Sequence, residues 1–141
     1  MRTALDTNVI SALWSEEPPN LRIAAELRTA GAQGGLVIAA PVYSELLAYP
    51  NATPAFLERF LDGAAIEVDF ELRPEVWKEA GRRFARFASR RRQTRAGHPQ
   101  RLLADFIIGA HVLLQADRLL TLDVARYRRD FPELRMITIP P

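Results

Sequence analysis

Four acidic side chains stand where the strands of a parallel sheet would deliver them to one edge. Asp6 and Asp123 each follow a short apolar run directly, and Glu45 lies in the first turns of the helix after another such run. Asp105 lies near the start of the helix that precedes the Asp123 run. Ligands of open parallel sheets bind beyond the carboxyl ends of the strands. The sequence therefore predicts that Asp6, Glu45 and Asp123 meet at this edge, and that Asp105 joins them if its helix enters there.

A cluster of carboxylates of this kind needs a cation. Ionised carboxylates about 4 to 5 Å apart repel each other by about 1 to 4 kcal/mol per pair. Without a cation the carboxyl pKa values rise or the side chains move apart. The chain has no cysteine, so the donors are oxygen atoms, which favour Mg²⁺, with Mn²⁺ as a substitute, over zinc. Such an ion activates water and neutralises charge on a phosphate, which indicates phosphodiester hydrolysis.

Each acid also has a simpler interpretation. Asp6 and Asp123 are suited to cap the helices that follow them, Asp105 favours a helix N-terminus, and Glu45 is typical of a solvated helix face. Asp6 and Asp105 have strongly apolar sequence neighbours, which places them near buried surface. A carboxylate there needs a partner.

A run of arginines is the second feature with possible chemistry. No acidic residue lies between Glu79 and Asp105, whereas the formal net charge of the whole chain is only +2. Guanidinium groups match phosphate oxygens and stay charged, so the run predicts binding to the phosphates of a phosphodiester chain, although a solvated helix face is the alternative. The candidate residues for this binding are Arg82, Arg83, Arg86, Arg90, Arg91, Arg92 and Arg95.

Strands and helices alternate in the hydrophobic pattern, which predicts an α/β fold with a mainly parallel sheet. The 141 residues are expected to form a single domain, 1–141. The five predicted strands are 2–5, 36–39, 66–68, 119–122 and 136–139. The predicted helices are 9–14, 21–30, 42–48, 55–61, 76 to about 88, and 102–114.

Composition excludes several classes of protein. The apolar runs are far shorter than the 20 or so residues that cross a bilayer, and no signal peptide pattern begins the chain. Without cysteine there are no disulfides, thiolate zinc sites or cysteine nucleophiles. We therefore expect no membrane association and a cytoplasmic location.

Four ordered motifs resemble those of PIN domains. The tail around Tyr127 to Phe131 resembles the close of VapC toxins, the ribonucleases of toxin–antitoxin pairs. The motifs are Leu5-Asp6-Thr7-Asn8, Tyr43-Ser44-Glu45-Leu46, Ala104-Asp105-Phe106-Ile107 and Leu120-Thr121-Leu122-Asp123.

The resemblance implies a PIN-like α/β/α sandwich on a five-stranded, mainly parallel sheet. It implies a Mg²⁺-dependent endoribonuclease that is a homodimer and is inhibited by a cognate, VapB-like antitoxin. Metal binding and catalysis would fall to Asp6, Glu45, Asp105 and Asp123. Thr7, Asn8 and Thr121 would support these carboxylates, although each is also suited to an ordinary turn or helix start.

Other readings of the same residues remain. A haloacid-dehalogenase-like phosphatase needs a second aspartate two residues after the first, where this chain has Asn8, and a receiver domain needs a late lysine, whereas the only lysine is Lys78. A non-catalytic PIN-like module that binds RNA or protein stays open, and dependence on metal would separate it from a nuclease. The two histidines, His98 and His111, are expected to be a solvated loop residue and a packed helix residue.

Overall fold

Strands and helices alternate in the computed structural model, which describes residues 1–16, 18–93 and 102–139. The strands are β1 (Thr3–Leu5), β2 (Leu36–Ala39), β3 (Ile66–Asp69), β4 (Arg118–Thr121) and β5 (Met136–Thr138). The helices of the described residues are α1 (Thr7–Trp14), α2 (Asn20–Ala32), α3 (Ala40–Leu46), α4 (Pro54–Gly63), α5 (Pro74–Gln93), α6 (Leu103–Gln115) and α7 (Val124–Arg128). All five predicted strands are present, within one or two residues of the predicted ends.

The five strands form one sheet in the order β3-β2-β1-β4-β5. Every neighbouring pair is parallel, so the predicted α/β fold with a mainly parallel sheet is confirmed. The central strand β1 and its neighbour β2 are buried along their whole length, which explains why both are continuous apolar runs in the sequence. Helices cover both faces of the sheet in an α/β/α arrangement, and α5 and α6 pack against each other.

Helix α5 is longer than the sequence predicts. It runs from Pro74 to Gln93, whereas the apolar spacing indicated an end near residue 88. Arginine is a good helix former, and the side chain of Arg90 forms an ion pair with Asp130 that fixes the last turns to the C-terminal part of the chain. The described arginines of the run therefore belong to one helix.

A partly buried polar network links three parts of the chain. Arg2 donates to both oxygens of Asp69 at 3.1 and 3.0 Å, and His111 Nε2 lies 2.8 Å from Asp69 Oδ2. His111 is fully buried, in keeping with the packed role predicted for it. Burial lowers the pKa of His111, and the neighbouring Asp69 carboxylate opposes that shift only in part.

Within the described residues, no helix combines the length and the apolar character needed to cross a membrane.

Candidate active site

Asp6 lies at the point where β1 passes into α1. Its carboxylate accepts hydrogen bonds from the Thr7 amide at 2.9 Å and from the Thr121 hydroxyl at 2.9 Å, and the residue is 2% exposed. Burial raises the pKa of Asp6, while hydrogen bonds from Thr121, Tyr127 and Thr7 lower it. Asp6 therefore caps α1, as the simpler interpretation held, and is also a buried carboxylate held in place on both oxygens.

Glu45 reaches the same place from α3. The hydroxyl of Thr7 donates to Glu45 Oε1 at 2.7 Å. Burial raises the pKa of Glu45, and the charges of Asp105 and Asp6 raise it further against the hydrogen bond from Thr7. Glu45 is thus not a freely solvated helix residue, because its carboxylate is half-buried and lies near those of Asp105 and Asp6.

Asp105 enters from the first turn of α6 and is almost completely buried. Its Oδ2 accepts a hydrogen bond of 3.3 Å from the Leu102 amide, which fixes the start of the helix. Its Oδ1 lies 3.6 Å from a guanidinium nitrogen of Arg126. The sequence predicts that Asp105 joins the other acids only if its helix enters at the carboxyl edge of the sheet, and α6 does begin there.

These three carboxylates line one open cavity of about 440 Å³. The rest of its lining is made of polar and small side chains together with one aromatic ring. The lining residues are Asp6, Thr7, Asn8, Glu45, Ala48, Tyr49, Asp105 and Arg126.

Asp123 is not in the lining of this cavity. Its side chain, 44% exposed, accepts from the Arg126 amide at 3.1 Å and so caps α7. Asp123 Oδ2 also lies 3.4 Å from Arg126 Nε. The structure therefore brings together three of the four predicted acids, and the fourth is joined to them through Arg126.

Arg126 is the residue that sequence reasoning missed. Burial would lower the pKa of Arg126, but the charges of Asp105 and Asp6, with smaller contributions from Tyr127 and Asp123, raise it. The available signal was its position three residues after Asp123, on a short helix that begins at the carboxyl edge. A basic side chain so placed points back toward the acids.

The three predicted supporting residues have separate contacts. Thr7 bonds to Asp6 and Glu45, and Thr121 bonds to Asp6, as described above. Asn8 contributes differently, because its Oδ1 accepts from the Leu122 amide at 3.2 Å and holds the chain between β4 and α7. Tyr127, which was not predicted, is buried beside Asp6, and burial together with the Asp6 and Asp105 charges raises the pKa of its hydroxyl well above the ordinary value.

The described arginines of α5 lie outside the lining of the acidic cavity, and they differ among themselves. Arg83 is buried, donates to both oxygens of Glu133 at 2.8 and 2.5 Å and to Glu79 at 3.0 Å, and stacks over Phe131. Hydrogen bonding to Arg83 lowers the pKa of Glu133 to about 2. This guanidinium is held by Glu79 and Glu133, so Arg83 has less freedom to contact a phosphate than the exposed arginines of α5.

The other α5 arginines are more accessible. Arg82 pairs with Glu79 at 2.9 Å, and Arg90 pairs with Asp130. Arg91 and Arg92 are exposed and line a separate groove with apolar side chains, and Arg86 is also exposed. Arg95 and His98 lie outside the described residues.

The donor set of the cavity suits a hard divalent ion. Asp6, Glu45 and Asp105 offer only oxygen atoms, and burial, with the nearby charges of Asp105 and Asp6, raises the pKa of Glu45. Among the residues that the structure describes, no three acidic or imidazole groups are close enough to form a finished metal cage. The carboxylates fit a metal ion in chemistry and line one cavity, and the guanidinium of Arg126 lies among them.

The comparisons with known proteins agree with the fold. The sequence profile of the PIN domain matches residues 3–132, and the chain belongs to this family, whose nucleases generally use a divalent metal ion. No curated protein sequence matches the chain significantly.

Solved structures show the same fold at low sequence identity. VapBC2 from Rickettsia felis, bound to a DNA fragment from its promoter, has a TM-score of 0.71 at 16% identity, with 98% of each chain covered. VapBC from Salmonella typhimurium, also bound to DNA, has a TM-score of 0.68 at 18% identity, and VapBC-1 from nontypeable Haemophilus influenzae has 0.67 at 18%, both with 98% of each chain covered.

Proposed function

We propose that this protein is a Mg²⁺-dependent endoribonuclease of the VapC toxin type, which hydrolyses phosphodiester bonds of RNA. The observation that carries the proposal is the cavity at the carboxyl ends of the strands, where Asp6, Glu45 and Asp105 converge in a PIN domain. Mn²⁺ would replace Mg²⁺, because both ions accept sets of oxygen ligands.

In this proposal Asp6, Glu45 and Asp105 hold the divalent ion. When bound, the ion supplies positive charge for the phosphate and lowers the pKa of water. Thr7 and Thr121 each donate a hydrogen bond to one oxygen of the Asp6 carboxylate. The carboxylate is therefore already oriented, and it loses little conformational freedom when the substrate binds. The raised pKa of Glu45 makes its carboxylate a better proton acceptor than an exposed glutamate.

The role of Asp123 is narrower in this proposal than the sequence indicated. It holds α7 and the side chain of Arg126 at the cavity, and its exposed carboxylate stands beside the proposed substrate path. We propose that Asp123 positions the site and that the three buried or half-buried acids bind the ion directly.

RNA would be held by exposed arginines at the end of α5, chiefly Arg86, Arg91 and Arg92. Their guanidinium groups would bind backbone phosphates without reading bases. Arg82 and Arg90 would contribute less because each is already paired with an acid.

We also propose a VapB-like antitoxin and a homodimer as partners. The similar solved structures are VapBC complexes, which supports a partner protein of that type. Large apolar side chains are exposed on this chain, among them Leu21, Phe70 and Trp77, and such surface is typical of protein interfaces.

The direct test is cleavage of a single-stranded RNA by the purified protein. We expect cleavage with Mg²⁺ or Mn²⁺, none in chelator, and none of a DNA of the same sequence. Asp6→Asn and Asp105→Asn should each abolish cleavage while the circular dichroism spectrum stays unchanged.

Asp62→Asn is the matched control, because it removes the same charge from an exposed position on α4. It should cleave at the native rate. RNA binding that is independent of metal, with no cleavage by the wild-type protein, would instead support a non-catalytic PIN-like module.

A further inference from the structure

Arg126 holds the position that a bound cation would need. It lies in the one-turn helix α7, lines the cavity beside Asp6 and Glu45, and places one guanidinium nitrogen 3.6 Å from Asp105 Oδ1. Its Nε lies 3.4 Å from Asp123 Oδ2. One side chain therefore faces all four acids that the sequence singled out.

We propose that Arg126 is the resident counter-cation of this cavity and that a divalent ion binds by displacing its guanidinium from Asp105. The second half of this statement rests on the proposed function, whereas the first half concerns the metal-free protein alone.

The contacts of Arg126 are those of a side chain that can move. Charge-assisted hydrogen bonds usually measure about 2.7 to 2.9 Å, and both ion-pair contacts of Arg126 are longer. Its side chain is 41% exposed, so solvent can receive the guanidinium when it leaves. Arg83 shows the contrast, because it is buried and held by bonds of 2.5 to 3.0 Å.

Electrostatics explains both the placement and the displacement. Asp6, Glu45 and Asp105 face the cavity from three different elements, and their mutual repulsion needs a nearby positive charge. Arg126 supplies it without metal, and its charge lowers the pKa of Asp6 and Glu45 against the larger effect of burial. A dication at the same carboxylates would repel the guanidinium, so the two compete for Asp105.

The first test measures the affinity for Mn²⁺ alone by calorimetry. Arg126→Gln and Arg126→Met should bind Mn²⁺ about tenfold more tightly than the wild type, a change of about 1.4 kcal/mol. Arg126→Lys, which keeps the charge, should stay near the wild-type value. Arg128→Gln is the matched control, since it removes the same charge from an exposed position of the same helix, and it should bind as the wild type does.

Equal Mn²⁺ affinity in Arg126→Gln, Arg126→Met and Arg128→Gln would overturn the displacement. Two variants are used so that the test still holds if one of them does not fold. Arg126→Met keeps an apolar stem of similar length. Neither variant is expected to lose the overall fold, because the side chain of Arg126 is 41% exposed.

The second test needs no metal and separates this inference from the proposed function. In chelator, Arg126→Gln should lower the midpoint of urea unfolding in the wild-type background but much less in the Asp105→Asn background, since the carboxylate that needs Arg126 is then gone. Equal effects in both backgrounds would overturn the counter-cation role. A wild-type protein that binds no Mn²⁺ but shows this coupling would refute the proposed metal site and the displacement, and would retain the counter-cation role.

Discussion

The hydroxyl of Thr7 donates a hydrogen bond of 2.7 Å to Glu45 Oε1, while the amide of the same residue donates to Asp6 at 2.9 Å. One residue at the start of α1 thereby orients two carboxylates that come from different elements.

Replacing Thr7 should separate positioning from folding. We expect Thr7→Val to reduce kcat for RNA cleavage about tenfold or more, because a misoriented group loses much of the rate that positioning supplies. Thr7→Ser keeps the hydroxyl and should retain most of the activity. Steady-state kinetics on both variants measure the difference, and a Thr7→Val protein with native kcat would show that the Glu45 contact is not needed.

Gly109 tests the packing that brings α6 to the carboxyl edge. A Cβ at Gly109 would lie 2.5 to 2.7 Å from the ring of Phe131, which is fully buried. Gly109→Ala should therefore lower the free energy of unfolding by about 1 to 3 kcal/mol, since overpacking outweighs the gain in helix propensity.

Gly81 is the matched control for this substitution. It lies in the exposed part of α5, and a Cβ there meets nothing within 4 Å. Gly81→Ala should raise the free energy of unfolding by about 0.5 to 1 kcal/mol, because alanine is the better helix former. Urea denaturation of the two variants measures both values, and a stabilising Gly109→Ala would contradict the packing described.

His111 should make the protein sensitive to mild acid. Burial lowers the pKa of His111 below its ordinary 6.5, so the unfolded chain takes up a proton more readily than the folded one. The free energy of unfolding should then fall as the pH drops below about 6.5 and flatten once the folded state is also protonated. Burial raises the pKa of Asp69, but hydrogen bonds from Arg2 and His111 outweigh it and lower that pKa from its ordinary 3.8, so the stability that the Asp69 carboxylate contributes is lost only in stronger acid.

The measurement is urea unfolding of the wild type and His111→Gln between pH 8 and pH 5. His111→Gln should be less stable at pH 8, because Asp69 loses its partner at 2.8 Å, and its stability should depend less on pH over this range. Parallel curves for the two proteins would show that His111 is not the titrating group.

Arginines at the end of α5 should control the salt dependence of RNA binding. Arg91→Ala with Arg92→Ala should weaken binding and flatten the dependence of log Kd on log salt by about 1 to 2, since fewer counterions are released. Arg28→Ala with Arg59→Ala removes the same charge from exposed positions of α2 and α4 and is the matched control. If the slope of log Kd against log salt is unchanged in the Arg91→Ala, Arg92→Ala protein, these arginines do not bind RNA and are ordinary solvated residues of the helix.

Sequence patterns were sufficient for the strands and for the placement of Asp6 and Glu45. A buried parallel strand must be apolar along its length, so its end is visible where Asp6 follows Leu5. The placement of Asp105 could be predicted only conditionally, because the position at which α6 begins depends on packing between helices, and no local sequence pattern contains that packing.

The differences between the sequence analysis and the structure have physical causes as well. The sequence analysis groups Arg83 with the basic run, although it falls in the stripe of Val76, Ala80 and Phe87 that α5 buries. The spacing of Arg83 from Ala80 and Phe87, three or four positions along the helix, indicates that it lies on the buried face. A count of charges alone does not show this. Arg126 could not be found from strand ends, because its place depends on the rotation of a one-turn helix that is fixed by the cap at Asp123.

Binding of an ion by the acidic cavity is tested most directly by a wild-type crystal soaked in Mn²⁺, with anomalous diffraction recorded at the manganese absorption edge. We expect one strong peak within about 2.2 Å of carboxylate oxygens of Asp6 and Asp105, with the Arg126 guanidinium withdrawn from Asp105. A protein that cleaves RNA in Mn²⁺ but shows no anomalous peak in this cavity would contradict the account.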